Sequence, residues 1–154
     1  MVRTYYETIH VIERLHRQSL DVLKIELDRL GIRDINNVQS LILYSIGVDQ
    51  LTVGELTLRG YYLGSNVSYN LKKMVESGYL VQERSLHDRR SVRIKVSPKG
   101  AALRVKLDEF FDRDAKLLKT VGLDGEALAT LGAMLNKLER FWSSQTEAQI
   151  RAAG

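Results

Sequence analysis

Residues 65–100 read SNVSYNLKKMVESGYLVQERSLHDRRSVRIKVSPKG. At 100° per residue, Val67, Leu71, Met74 and Gly78 fall on one face of a helix. Ser65, Tyr69, Lys72, Lys73 and Glu76 fall on the opposite half, with Asn66 and Ser68 on the flanks. Ser65 is the expected N-cap. After Gly78 the hydrophobic period changes to two, which predicts strands over Leu80–Arg84 and Val92–Val96. Val92, Ile94 and Val96 should point inward, and Arg93 and Lys95 outward. Between the strands lies a polar loop that carries His87-Asp88-Arg89-Arg90. Ser97-Pro98 then opens another helix, with a hydroxyl cap and proline at the first helical position.

The charge of this region is local. Residues 59–100 hold nine lysines and arginines against three acids, a net of +6, whereas the whole chain is only +4. A basic helix followed by a basic hairpin suits the reading of a nucleic-acid duplex.

Working outward, residues 3–30 place Tyr5, Ile9, Ile12, His16, Leu20, Leu23, Leu27 and Leu30 at steps of three and four. Val11, Leu15, Val22 and Ile25 form a second apolar stripe. The predicted helix is about 40 Å long, too long and too apolar on two sides for a compact monomer. Gly31 should end it. Asn36 or Asn37 can cap a helix from Val38 to about Val48, with Leu41, Ile42, Tyr44, Ser45 and Val48 on its buried side. Thr52 and Glu55 form a capping box that opens a short helix ending near Gly60. That helix and the one at 65–77 make a helix-turn-helix pair. Downstream, a helix from Pro98 to about Thr120 carries Leu103, Leu107, Phe110 and Leu117, and Gly122 breaks it. Asp124 caps a last helix with Leu128, Leu131, Leu135, Leu138 and Trp142 at helical spacing.

The expected fold is mainly α with a small two-stranded β wing: a winged helix-turn-helix flanked by long N- and C-terminal dimerisation helices. Residues 1–35 and 99–154 are assigned to dimerisation, and 36–98 to the DNA-binding lobe. The end helices present more apolar surface than one protomer can bury, which calls for a homodimer.

Composition removes several function classes. The chain of 154 residues has no cysteine, so thiol redox sensing and cysteine-ligated metal are excluded. His10, His16 and His87 are scattered, so no metal site is expected. No apolar run approaches a membrane span, so no membrane partner is expected and a cytoplasmic, nucleoid-associated protein is. No glycine-rich phosphate cradle is present, and the acids at Asp108-Glu109 and Asp112 to Asp114 sit on a solvated helix face. No catalytic residue and no cofactor are assigned.

The candidate DNA-binding residues are therefore Ser65, Asn66, Ser68, Tyr69, Lys72 and Lys73 on the helix, and His87, Asp88, Arg89 and Arg90 on the loop. Hydroxyl, amide, phenol and ammonium groups are those that reach base edges and phosphates in a major groove. A loop arginine suits the narrow minor groove, where negative potential is focused. Asp88 has a local task, to bond loop N–H groups and an arginine. The bland reading is an amphipathic helix with a solvated face and a hairpin kept soluble by charge; the succession of helix and basic hairpin weighs against it.

Asp88-Arg89-Arg90 through Val96-Ser97-Pro98-Lys99-Gly100 resembles the wing signature of the MarR family of bacterial transcription regulators, D-x-R followed by an aliphatic and L-T-x-x-G. Val96-Ser97 replaces Leu-Thr here, keeping an apolar residue and a hydroxyl cap. Leu51-Thr52-Val53-Gly54-Glu55-Leu56 resembles the family's L-T-x-x-E-L helix opening, and Glu76 to Val81 its helix-to-strand turn. The resemblance implies a homodimeric regulator, a repressor, whose two lobes reach successive major grooves of a pseudo-palindromic operator. It also implies release by a small, often aromatic ligand held between the dimer helices and the winged lobe. His16, Tyr44, Tyr61 and Tyr62 are the candidate effector contacts; for most of the tyrosines, Tyr5 and Tyr6 included, core packing is the simpler expectation. Two other readings remain open: a winged helix that docks an acidic protein, and a constitutive DNA-binding regulator without effector.

Overall fold

The computed structural model describes residues 1–47, 51–58, 65–84 and 92–153. Its elements are α1 (Val2–Arg29), α2 (Asn37–Ile46), β1 (Leu51–Thr52), α3 (Val53–Leu58), α4 (Ser65–Glu76), β2 (Leu80–Arg84), β3 (Val92–Val96), α5 (Pro98–Thr120) and α6 (Gly125–Ala153). The chain divides into two units, Met1–Asp108 and Glu109–Gly154.

The first unit is built around α2. Ile42, Leu43 and Ile46 of α2 are buried, as are Leu23 and Leu27 of α1, Val67, Leu71 and Met74 of α4, and Ile94 of β3. Polar ties hold the same elements in register. Asn36 caps α2 in a full capping box with Gln39. Asn37 Nδ2 donates to the Leu20 carbonyl of α1 at 3.0 Å, and Gln39 Nε2 donates to Asn70 Oδ1 of α4 at 3.1 Å. Glu26 is buried on α1, and Arg29 grips it with two nitrogens at 2.8 and 2.6 Å.

The sheet has three strands rather than two, in the order β1-β3-β2, all antiparallel. β2 and β3 pair from Leu80 with Val96 to Arg84 with Val92, as the alternation predicts. The added strand is the residue pair Leu51 and Thr52, opposite Ile94 and Arg93. Two residues are too few to show a period of two. Leu51 is drawn into the sheet because its side chain is buried beside Ile94. Immediately after it, the Thr52–Glu55 box forms as expected: Glu55 N–H donates to Thr52 Oγ1 at 3.1 Å, and Thr52 N–H to Glu55 Oε2 at 2.7 Å.

α4 ends where the sequence places the turn. Gly78 adopts φ +82, Gly78 N–H donates to the Val75 carbonyl, and Tyr79 N–H to the Met74 carbonyl. This paired closure needs a left-handed residue and turns the chain directly into β2. α2 stops at Ile46, earlier than the expected Val48, which lies outside the described residues along with Gly60, the expected end of α3.

The start of α5 locks the wing to α4. Ser97 is buried; its Oγ donates to the Gly78 carbonyl at 2.5 Å and accepts the Gly100 N–H at 3.1 Å. Ser97 N–H donates to the Tyr79 carbonyl at 3.0 Å. Gly100 sits so close that a Cβ there would lie 2.3 Å from that same carbonyl oxygen and 2.8 Å from Val96 Cγ1. The wing's final glycine is thus a packing requirement.

Within the second unit, the end of α5 closes with Leu123 N–H on the Leu118 carbonyl, and Asp124 Oδ1 caps α6 by accepting the Ala127 N–H at 2.9 Å. Leu128, Leu131, Met134, Leu135 and Phe141 remain exposed along α6. α1 behaves alike: of its two predicted stripes only Leu23 and Leu27 are buried, while Ile9, Val11, Leu15, Val22 and Ile25 are exposed. Tyr5 and Tyr6 are exposed as well, so core packing does not account for them. No described helix is long and apolar enough to cross a membrane.

Candidate nucleic-acid interface

α4 is fixed by its buried face. Val67, Leu71 and Met74 are 2, 2 and 0 % exposed, so the opposite face is committed to solvent. That face carries Asn66, Ser68, Tyr69, Lys72, Lys73 and Glu76, all exposed. Tyr69 is 60 % exposed, a large aromatic side chain held out from the surface. Lys73 Nζ lies 5.8 Å from the centre of its ring and 3.2 Å from Glu76 Oε2. About two turns of helix therefore present a phenol, two ammonium groups, an amide and a hydroxyl together. Ser65 is the first residue of α4, and its side chain lies outside the described set.

The hairpin supplies a second basic element. Arg84 closes β2 and Arg93 lies on β3, both exposed. Lys95 pairs with Glu83 across the strands at 2.5 Å. The loop that joins the strands, with His87, Asp88, Arg89 and Arg90, lies outside the described residues.

A polar strap sets α4 against its surroundings. Lys99, in the first turn of α5, donates to Asp34 Oδ2 at 2.5 Å and to the Ser77 carbonyl at 2.8 Å. Tyr79 OH donates to Asp34 Oδ1 at 2.5 Å, and Lys99 Nζ lies 4.4 Å from the Tyr79 ring centre. The hydrogen bonds from Lys99 and then Tyr79 hold the Asp34 carboxyl below the usual carboxylate range. Burial, followed by the Asp34 contact, pushes the Tyr79 phenol well above its ordinary value. Asp34 and its neighbour Arg33 escape sequence reasoning. They stand in a short turn with no periodicity, and the partners of Asp34 lie 45 and 65 residues away.

Of the candidate effector contacts, His16 and Tyr44 lie within the described residues. His16 is exposed on α1. Tyr44 is half-buried on α2, donates to Asp108 Oδ1 at 2.6 Å and lies under Arg104, 5.9 Å from its ring centre. The Asp108 hydrogen bond raises the Tyr44 phenol above its ordinary value, with burial adding to it. Tyr61 and Tyr62 lie outside the described residues. Clefts open on the first unit among the described residues, two of them beside α2 and α4. One, of about 260 Å³, lies at the junction of α1 and α2 over Leu27, Ile32 and Ile35. The other, of about 290 Å³, runs beside α4 between Arg33 and Lys73. Neither is lined by His16 or Tyr44. Among the described residues no three histidines, aspartates or glutamates cluster as metal ligands would.

Comparison with known proteins bears on this geometry. The sequence profile of the MarR family matches residues 33–91. The chain is 38 % identical over 141 residues to the exopolysaccharide II synthesis transcriptional activator ExpG of Rhizobium meliloti (strain 1021), covering 92 % of this chain and 73 % of that protein. Its fold is similar to that of a mutant MarR from E. coli complexed with operator DNA, with a TM-score of 0.70 at 24 % identity over 84 % of this chain and 91 % of the other. It is also similar to Streptococcus pneumoniae FabT in complex with DNA, with a TM-score of 0.70 at 20 % identity over 91 % of this chain and 98 % of that one.

Proposed function

The chain belongs to the MarR family, and from that premise we propose that it is a homodimeric, sequence-specific regulator of transcription that binds double-stranded DNA. The observation that carries the reading is the exposed face of α4. Tyr69, Lys72 and Lys73 stand out together over a buried apolar face that fixes the helix to the lobe. An α-helix so mounted fits the major groove, where such side chains reach base edges and phosphates. The basic hairpin beyond it supplies contacts to the backbone, and Arg89 and Arg90, in the sequence between its strands, are the residues proposed for the minor groove.

The apolar residues left exposed on α1 and α6 support the dimer. Joining two copies through these helices brings two α4 helices to half-sites about 34 Å apart on a pseudo-palindromic operator. Winged lobe and end helices then divide the work, one reading DNA and the other setting the spacing. A small aromatic effector that changes that spacing would release the operator without touching α4. His16, Tyr44, Tyr61 and Tyr62 are the side chains proposed to meet it, in the cytoplasm where the operator lies.

The sign of regulation follows from operator position. A dimer over the promoter represses, and one upstream of it activates. The sequence reading favours a repressor, while the relative from Rhizobium meliloti is named an activator. A reporter fused to the bound promoter, read with and without the regulator gene, separates the two.

The direct test is fluorescence anisotropy on fragments recovered by genomic footprinting. With 6–10 phosphates neutralised, affinity should fall by about 10³–10⁵ between 50 and 200 mM salt. Failure to bind any duplex at low salt ends the reading and leaves the protein-docking alternative. A thermal-shift panel of phenolic acids tests the effector, since a ligand of the native dimer raises its melting temperature. No shift across the panel favours a constitutive regulator.

A further inference from the structure

The groove beside α4 extends the surface that faces DNA. One wall is α4 itself, through Tyr69 and Lys73, so the groove continues the exposed recognition face. The other wall is the turn between α1 and α2, which contributes Arg33. We propose that Arg33 and Lys73 together hold one DNA backbone phosphate in this groove, a contact that widens the interface from α4 to the α1–α2 turn. This rests on the DNA-binding reading above.

Charge pairing in the groove selects Arg33. Asp34 is the acid that lines it, and its carboxylate is already engaged by Lys99 and Tyr79. Gln39 is bonded to Asn70, and Asn36 is occupied as the cap of α2. Arg33, by contrast, is exposed and makes no ion pair among the described residues. Among the described residues Lys73 pairs with Glu76 on the surface, at 3.2 Å with both side chains about half exposed, and lies 5.8 Å from the Tyr69 ring centre. Such an exposed pair contributes little, so a phosphate can recruit the ammonium group. The planar guanidinium fork of arginine matches two phosphate oxygens at once. The positive end of α2 opens beside Asn36 in the same groove and adds to the field. A surface groove between two cations fits a phosphodiester that runs across it while Tyr69 reaches the bases.

The test compares wild type, Arg33→Ala and Arg33→Lys on the footprinted operator and on a random-sequence duplex of equal length, each across a salt series. Arg33 is exposed and makes no ion pair among the described residues, so the variants should keep the wild-type melting temperature and circular dichroism. Arg33→Ala should bind both duplexes about tenfold more weakly, and its log–log salt slope should be shallower by up to about 0.9, the most that one phosphate contributes, since Lys73 still faces it. Arg33→Lys should restore the slope. A scan of single methylphosphonate linkages should find one phosphate per half-site whose neutralisation weakens wild type more than Arg33→Ala, in which only Lys73 is left to face it. If wild type binds duplex and Arg33→Ala binds with the same affinity and slope, the groove proposal is overturned and the function stands. Weakening confined to the operator also overturns it, because a phosphate contact carries no sequence preference. If wild type binds no duplex at low salt, the DNA-binding reading falls and the groove proposal with it.

Discussion

Replacing Gly100 by alanine sets two physical effects against each other, and the structure says which wins. Gly100 lies in the first turn of α5, where alanine is the better helix former by about 0.8–1.0 kcal/mol. Considered as helix alone, Gly100→Ala should stabilise. The added Cβ, however, would meet the Tyr79 carbonyl oxygen at 2.3 Å, Val96 Cγ1 at 2.8 Å and Leu43 Cδ1 at 3.2 Å. Ordinary contact requires the backbone to open by about 1 Å. Such overpacking costs roughly 1–3 kcal/mol. The carbonyl that must move also accepts the Ser97 N–H at 3.0 Å, and loosening that bond costs about 0.5–1.5 kcal/mol more. The net expectation is a loss of about 2 kcal/mol, which for a chain of this length lowers the melting temperature by roughly 4–8 °C. Differential scanning calorimetry at fixed protein concentration reads it, since dimerisation makes the midpoint concentration-dependent. Gly125→Ala is the control. Among the described residues nothing lies within 4 Å of where a Cβ would stand, so it should be neutral or stabilising. A Gly100→Ala melting temperature equal to or above wild type would refute the packing argument and leave only helix propensity.

Three further outcomes follow from the same geometry. Tyr69→Ala, on an exposed side chain, should leave stability within about 0.5 kcal/mol of wild type while changing base preference in a selection on randomised operators; an unaltered preference would remove Tyr69 from the reading face. Leu15→Glu on the exposed stripe of α1 should convert the dimer to monomer in sedimentation velocity and abolish operator binding, and a dimer that persists would take α1 out of the interface. Asp34→Asn should weaken the strap at neutral pH by less than about 1 kcal/mol, since the ion pair with Lys99 is half exposed. The folded carboxyl is held below its ordinary value, so its contribution is fully present above the unfolded pKa of about 3.9 and is lost as pH falls through the folded value. Urea midpoints of wild type and variant should therefore converge as the pH drops below about 4; a gap that stays constant to pH 2 would show that the Asp34 charge is not what the variant removes.

Local chemistry made much of this molecule legible. The Thr52–Glu55 box, the Ser97-Pro98 opening of α5 and the Asp124 cap of α6 each act within three residues, so residue types at fixed spacing suffice to locate them. The same holds for the face of α4. A period of 3.6 decides that Val67, Leu71 and Met74 go inside, and with them buried Tyr69, Lys72 and Lys73 have no choice but to face out. Contacts between distant segments left no such trace. Leu51 and Thr52 become a strand only because β3 lies alongside, a pairing that two residues cannot announce. The glycine at 100 could be matched to a family pattern, but its cause is the carbonyl of Tyr79, brought there by the sheet. Arg33 and Asp34 read as two charges in an ordinary turn until packing of α2 against α4 sets them beside Lys73, Tyr79 and Lys99. Periodicity and capping are properties of neighbours along the chain. Which turn stands beside the recognition helix is a property of the packed core, and only the folded chain expresses it.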